Sequence, residues 1–111
     1  MEYDLVSEIH AKTQLLERSI NQLRHSCREY AQAERDYKIL LRQECLKMRD
    51  DGMAIGMIEK TCYGVPSVAD ARFRRDMAEG VYKANFEAIN SIKLQLRLLE
   101  GQLGREWGSG S

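Results

Sequence analysis

The chain lacks most of the features that mark loop-rich, secreted or membrane-spanning proteins. Its 111 residues include one proline and eight glycines, which is too few for the many turns of an all-β fold. No apolar run approaches the roughly 20 residues that span a bilayer, and no charged segment followed by an apolar stretch marks secretion. The three cysteines are odd in number, which suits a reducing compartment better than a disulfide framework. These absences predict a soluble, cytosolic and mostly helical protein.

Net charge is absent as well. Seventeen basic residues balance seventeen acidic ones, so no long-range field attracts the chain to nucleic acid or to an anionic membrane. At this length we expect a single domain. It should cover residues 1–107, because the Gly-Ser-Gly-Ser sequence at 108–111 resembles a flexible linker or the remnant of a tag.

Two long stretches have the periodicity of helices that pack against each other. Residues 3–51 contain neither glycine nor proline, and residues 66–105 begin with Pro66, a favourable first-turn residue. In both stretches, mostly apolar residues recur at steps of three or four positions, which is the spacing of a coiled-coil seam. The first seam consists of Ile9, Thr13, Leu16, Ile20, Leu23, Cys27, Tyr30, Glu34, Tyr37, Leu41, Glu44 and Met48. The second seam consists of Val68, Ala71, Arg75, Ala78, Tyr82, Asn85, Ile89, Ile92, Leu96, Leu99 and Leu103.

The segment between the two helices, residues 52–65, predicts a short helical elbow. Gly52 has the position of the residue that ends a helix in the left-handed conformation, and residues 53–62 are long enough for two helical turns. The fold class is therefore all-α: a long antiparallel helical hairpin of coiled-coil type with an elbow.

We expect this hairpin to dimerise into a four-helix bundle. Two helices bury only one stripe each and seldom form a stable core alone. Further apolar residues outside the seams could supply the dimer contact. They are Leu5, Leu15, Leu40, Met77, Val81, Ala84, Ala88, Leu94 and Leu98.

One register of the hairpin matches polar seam residues with polar seam residues. If Met48 lies near Val68, Glu44 faces Arg72 and Arg75. The same register places Glu34 opposite Tyr82 and Asn85, so Glu34, Glu44 and Asn85 form a structural polar seam that fixes the partner. The other contacts that this register predicts are Leu16 with Leu99, Ile20 with Leu96, and Ile9 with Trp107.

Motifs for catalysis and for metal binding are missing from the sequence. His10 and His25 have no second histidine or cysteine at the spacing of a zinc site. No Gly-rich phosphate loop, nucleophile elbow or metalloprotease helix occurs, and Cys62 has no base in a recognisable arrangement. We therefore predict that the protein is not an enzyme and that it uses no metal and no cofactor.

The most distinctive local feature is a cationic cluster at the elbow. Arginine forks bind phosphate oxygens and aromatic rings stack on bases, so the cluster is a candidate site for a phosphate-bearing ligand or a partner. The candidate residues are Lys60, Tyr63, Arg72, Arg74 and Arg75.

Three other interpretations of this region stay open. The arginines can belong to an ordinary exposed helix face, since acidic residues flank them. The turn at 63–65 weakly resembles a helix-turn-helix motif, although Glu59 and Lys60 do not fit it. A protein partner could instead bind the apolar residues Met53, Ile55 and Met57.

Segments at 30–37, 46–53, 73–79, 82–83, 87–90, 93–99 and 105–107 resemble, in this order, a known group of proteins. These are small helical proteins encoded by temperate phages and prophages of Gram-positive bacteria. The resemblance implies a phage protein made in the bacterial host cytosol. Such proteins serve phage DNA metabolism or inhibit host enzymes and host defence. The resemblance implies no particular site residues.

Together these observations predict a non-enzymatic phage accessory protein that acts by stoichiometric binding. We favour an inhibitor of a bacterial defence system, which would bind a host protein or sequester a nucleotide signal. The alternatives are a DNA-binding or enzyme-binding accessory of phage replication or recombination, and a structural coiled-coil adaptor. Nucleic acid is possible but not favoured, because the net charge is zero and affinity for DNA comes largely from cations placed on phosphates. The chain itself is an expected partner, and a membrane is not.

Overall fold

The computed structural model describes residues 2–109, with side chains from 4 to 108, and its regular structure is entirely helical over that range. Helix α1 spans Glu2–Asp50, α2 spans Ile55–Thr61, and α3 spans Pro66–Ser109. A single 3-10 turn, Cys62–Gly64, joins α2 to α3. The all-α prediction is confirmed. Helix α3 extends through the first two residues of the predicted linker, and Gly110 and Ser111 lie outside the described residues.

The chain divides into two compact units, each of which contains part of α1 and part of α3. The terminal unit comprises Met1–His25 and Lys83–Ser111, and the elbow unit comprises Ser26–Tyr82. The two long helices pack antiparallel, as the two seams predict. The expectation of a single domain stays a prediction.

In the terminal unit, all predicted seam residues except Thr13 are buried or half-buried. Its best-buried side chains are Leu5, Ile89, Ile92 and Leu96, so Leu5 is a core residue rather than part of an outer surface. Thr13 is exposed, and its hydroxyl donates to the Ile9 carbonyl oxygen at 2.8 Å. The remaining seam residues of this unit are half-buried: Ile9, Leu16, Ile20, Leu23, Asn85, Leu99 and Leu103.

Trp107 does not close the end of the helix pair. Its side chain is 60% exposed, so much of the indole ring faces solvent. Its predicted contact with Ile9 stays a prediction. The predicted contacts of Leu16 with Leu99 and of Ile20 with Leu96 stay predictions. Leu96 is buried and the other three side chains are half-buried, which is compatible with several registers.

The core of the elbow unit forms around Tyr37, Val68 and Ala71. Leu40, Leu41 and Val65 pack against this cluster, which makes Leu40 a core residue rather than an outer one. Further along the unit, the rings of Tyr30 and Tyr82 stack with centroids 5.9 Å apart.

One predicted seam position in this unit is wrong. Cys27 is exposed, and its neighbour Ser26 is buried at 4% exposure. Positions 26 and 27 lie on opposite sides of the line from Leu23 to Tyr30, so periodicity alone does not choose between them. The smaller serine occupies the packed side.

The predicted register is also wrong in the elbow unit. Val68 lies in a core cluster with Tyr37, Leu40 and Leu41, whereas the prediction placed it near Met48. The stack of Tyr82 on Tyr30 rather than opposite Glu34 shows the same displacement, which is about one to two helical turns along α1. The last turns of α1 instead face the elbow, where Cys45 interacts with Cys62 and lines a cavity with Ile58. Because the elbow occupies this end of α1, α3 begins opposite an earlier part of the helix.

Gly52 ends α1 as the sequence predicts. It has a positive φ of 86°. Its amide donates to the Arg49 carbonyl at 3.0 Å, and the Met53 amide donates to the Met48 carbonyl at 3.0 Å. This is the Schellman arrangement, in which a left-handed residue lets the chain leave the helix while its last carbonyls stay bonded.

Within the described residues, neither long helix contains a stretch apolar enough and free enough of charge to cross a membrane.

Candidate functional site

Arg75 points into the helix pair, where it contacts other side chains of the chain. Its guanidinium lies 4.7 Å from the centre of the Tyr37 ring. Its Nε and Nη2 donate to Asp76 Oδ1 at 3.0 and 2.7 Å. These hydrogen bonds are the largest cause of a raised Arg75 pKa, and Glu34 also contributes. Arg75 is therefore a structural cation of the elbow unit.

The predicted ion pair between Glu44 and an elbow arginine is wrong. Glu44 accepts from Lys47 on its own helix at 3.2 Å. The α1 carboxylate whose charge acts on Arg75 is Glu34, which also lies 3.7 Å from Lys38. Glu34 does not have the predicted pairing with Tyr82, because Tyr82 stacks on Tyr30. The shifted register explains these exchanged partners.

Two of the candidate binding residues lie together at the elbow. The Arg72 guanidinium is 5.7 Å from the centre of the Tyr63 ring, an arrangement that favours a cation over an aromatic face. Tyr63 remains 48% exposed. Lys60 is exposed in the last turn of α2, and its side chain makes no hydrogen bond or ion pair with a described residue.

Arg74 faces a different environment. It lines an open groove of about 220 Å³ between α1 and α3, whose wall carries Glu29 and Asp36. Gln32 lies in the same groove and donates to Asp36 Oδ1 at 2.8 Å. These carboxylates offset the positive charge of Arg74. The five candidate residues thus form one small pair, Arg72 with Tyr63, and three cations with separate surroundings.

Helix α2 presents large apolar side chains to solvent. Ile55 is 72% exposed and Met57 is 53% exposed, whereas Ile58 is buried at 8%. Cys62 in the following turn is buried at 3%, so the inward face of the elbow is already formed by other residues. We call Ile55, Met57 and Tyr63 the elbow surface.

The inward face of the elbow brings two thiols together. Burial raises the pKa of the Cys45 thiol, and interaction with the Cys62 thiol raises it further. The Cys62 thiol donates to the Glu59 carbonyl oxygen at 3.9 Å. Cys45 is therefore held as a neutral thiol, which is a poor nucleophile.

A second surface, absent from the sequence-based candidates, lies on the outer side of α1. Arg28, Arg35, Arg42 and Arg49 recur at every seventh position and are all exposed. Positions seven apart lie on nearly the same face of a helix, so the repeat is visible in the sequence. The periodicity of the apolar seam does not reveal it, because none of these positions belongs to the seam.

Over the part of the chain that the structure describes, no three side chains of histidine, cysteine, aspartate or glutamate are grouped so that they could hold a metal ion. Comparisons with protein-family models, with curated proteins and with solved structures found no match for this chain. Its function therefore has to be inferred from its own geometry.

Proposed function

We propose that this protein is a non-enzymatic binding protein that captures a partner protein stoichiometrically through the elbow surface. The observation that carries the proposal is the exposure of Ile55 and Met57, at 72% and 53%, on a helix of seven residues. Helix α2 uses only its opposite face to pack on the chain, through Ile58.

The size of the expected contribution supports binding. Full burial of an isoleucine or methionine side chain contributes about 1.5–3 kcal/mol. A few such anchors account for most of the free energy of a typical protein interface. Tyr63 adds a ring with a polar end, a residue type enriched at interfaces. Three anchors on one short segment are thus enough for a specific contact.

A phosphate-bearing ligand, such as a nucleotide signal, is the second candidate. The stacked pair of Arg72 and Tyr63 favours it, and Lys60 lies in the same elbow. Arg75 is engaged with Tyr37 and Asp76, however, and Arg74 shares its groove with two carboxylates. The cations available to one phosphate are fewer than the sequence predicts, so we favour the protein partner.

The resemblance to small phage proteins supplies the biological setting of the proposal. In that setting, the protein acts in the bacterial host cytosol and inhibits a defence system by occupying a host protein. An accessory role in phage replication or recombination, reached through binding an enzyme, uses the same surface. Identification of the captured protein separates these two roles.

The test is affinity capture from the lysate of a phage-sensitive bacterium, with three forms of the full chain. The Ile55→Asp/Met57→Asp variant should lose the captured protein, because buried carboxylates would be left without partners. The Lys60→Ala/Arg74→Ala variant should retain it. Circular dichroism should show unchanged helix content in both, since all four side chains are exposed.

Two outcomes would contradict the proposal. One is full capture by the elbow variant. The other is loss of capture by the cation variant alone, which would indicate the phosphate-bearing ligand instead.

A further inference from the structure

The outer side of α1 carries a regular array of positive charge. Arg28, Arg35, Arg42 and Arg49 are spaced by seven residues, or about 10.5 Å along the helix axis. Each heptad rotates the position by only about 20°. The four guanidinium groups therefore project from one side of the helix.

Two aliphatic side chains lie on the same side. Ile39 and Leu46 are also seven residues apart, and both are 44% exposed. Each follows an arginine by four positions and precedes the next one by three, which places all of them on one helical face. We call this set the basic face: Arg28, Arg35, Ile39, Arg42, Leu46 and Arg49.

The guanidinium groups of the basic face make no hydrogen bond and no ion pair with the described residues. Neighbouring cations are used internally: Lys38 pairs with Glu34, Lys47 with Glu44, and Arg75 with Asp76. In contrast, no side-chain hydrogen bond or ion pair between described residues involves the guanidinium groups of the four heptad arginines. Their charge is available to another molecule.

At the edge of the basic face, a small cavity between α1 and α2 can admit a side chain of that molecule. It measures about 140 Å³ and is lined by Arg42, Cys45, Leu46, Arg49 and Ile58. The four residues from α1 occupy positions i, i+3, i+4 and i+7, the diamond that receives one side chain in knobs-into-holes packing. Ile58 of α2 adds an apolar wall to this diamond.

We propose that the basic face binds an acidic amphipathic helix of a partner protein. Such a helix would place a leucine-like side chain in the cavity beside Leu46 and a second one over Ile39. Glutamates or aspartates flanking those positions would reach the arginines in charge-assisted hydrogen bonds. This surface is separate from the elbow surface, and its binding does not require capture of a partner through the elbow.

Neither a second copy of the chain nor a nucleic acid fits this face as well. Two basic faces packed in register would oppose arginine to arginine. A polyphosphate would contact the arginines but would leave the exposed apolar side chains of Ile39 and Leu46 uncovered.

The test uses a fluorescent helical peptide of three heptads, with leucines at the core positions and glutamates on both sides of them. Its control is the same peptide with lysine in place of every glutamate. By fluorescence anisotropy, the full chain should bind the acidic peptide and not the basic one, and added salt should raise the Kd.

Charge reversal tests whether the arginines of the basic face bind the acidic peptide. The Arg35→Glu/Arg42→Glu variant should bind the acidic peptide at least about tenfold more weakly, which corresponds to about 1.4 kcal/mol, and should gain binding to the basic peptide. The matched control is Arg97→Glu on α3, an exposed arginine outside the face, which should leave the Kd unchanged. The Ile55→Asp/Met57→Asp variant should also leave it unchanged, so failure of the elbow surface and failure of this inference are distinguishable.

Three results would overturn the inference: binding of both peptides equally, binding of neither, or an unchanged Kd after charge reversal. Duplex DNA serves as a competitor in the same assay. Tighter binding of DNA with the same dependence on Arg35 and Arg42 would replace the helix with nucleic acid as the occupant.

Discussion

At the scale of single residues, Tyr37 joins the apolar core of the elbow unit to the charge of Arg75. Its side chain packs with Val68 and Ala71, and the Arg75 guanidinium lies 4.7 Å from the ring centre. The arginine can remain charged at this half-buried position because an aromatic face and the Asp76 carboxylate both stabilise it.

Tyr37→Ala should lower the free energy of unfolding by about 3–5 kcal/mol, because it leaves a cavity and removes the ring beside Arg75. Tyr63→Ala is the matched control. Its ring also contacts an arginine but is half exposed, so the loss should be less than about 1 kcal/mol. Urea unfolding followed by circular dichroism measures both values. Equal losses would show that the core does not depend on Tyr37.

Cys45 should make stability depend on alkaline pH. Its folded-state pKa is raised above the ordinary 9.0 by burial and by Cys62, so the folded chain holds this proton more tightly than the unfolded chain. The resulting stability is fully present below about pH 9 and declines as the pH rises through the folded-state pKa.

The free energy of unfolding, measured at about pH 8 and about pH 10, should be lower at the higher pH. The Cys45→Ala variant should lose less stability between the two values than the wild-type chain. The Cys27→Ala variant, which removes an exposed thiol, should behave like wild type. If the free energy of unfolding of Cys45→Ala falls between the two pH values as much as that of the wild-type chain, other groups cause the pH dependence.

At the scale of elements, the end of α1 depends on the left-handed conformation of Gly52. Its φ of 86° is unfavourable for any residue with a side chain, although no atom lies within 4 Å of an added Cβ. Gly52→Ala should therefore cost about 1–2 kcal/mol through backbone conformation alone. Gly80→Ala is the matched comparison, because position 80 lies inside α3 and an added Cβ is equally uncrowded.

Gly80→Ala should raise the free energy of unfolding by about 0.5–1 kcal/mol. The two substitutions should change the free energy of unfolding in opposite directions. This distinguishes the effect at Gly52 from a general effect of replacing glycine by alanine. Thermal or urea unfolding of both variants measures them. A stabilising Gly52→Ala would contradict the left-handed helix end.

The elements themselves could be predicted from the sequence, because an uninterrupted helix repeats its apolar positions. Every predicted seam position of α3 is buried or half-buried, and Gly52 ends α1 as expected. The register could not be predicted in this way, since it depends on how Ile58 and Cys62 of the elbow pack against α1. The elbow occupies the end of α1, so Val68 packs near Leu41 rather than near Met48 as the sequence predicts.

The candidate site was predicted only in part for the same reason. Sequence spacing shows that Arg74 and Arg75 point in different directions, because successive residues rotate by about 100°. It does not show that Tyr37 and Asp76 engage Arg75, or that Glu29 and Asp36 share a groove with Arg74. Those are tertiary contacts set by the register. The heptad of exposed arginines needed no tertiary information and was recoverable from periodicity.

At the scale of the whole molecule, exposed apolar residues on α3 support the proposal that the chain pairs with itself. In the elbow unit, Met77 and Val81 are 56% and 51% exposed. In the terminal unit, Leu94 and Leu98 are 54% and 64% exposed. Light scattering at tens of micromolar chain should give twice the chain mass.

Met77→Glu/Val81→Glu should shift that mass toward the monomer, because charges at these positions would be buried in the dimer. Ile55→Asp/Met57→Asp, which lies on the elbow surface, should leave the dimer intact. A monomeric mass for the wild-type chain would contradict self-association.

The shortness of α2 has a consequence for local opening. A helix of seven residues has few internal hydrogen bonds, and little more than Ile58 holds it to the chain. Its backbone amides should therefore exchange with deuterium sooner than those in the middle of α1 or α3, since segments with few buried contacts open at low free energy. A partner that covers Ile55 and Met57 would restrain this opening. Slower exchange confined to residues 55–61 would report occupancy of the elbow directly, without a label on either protein.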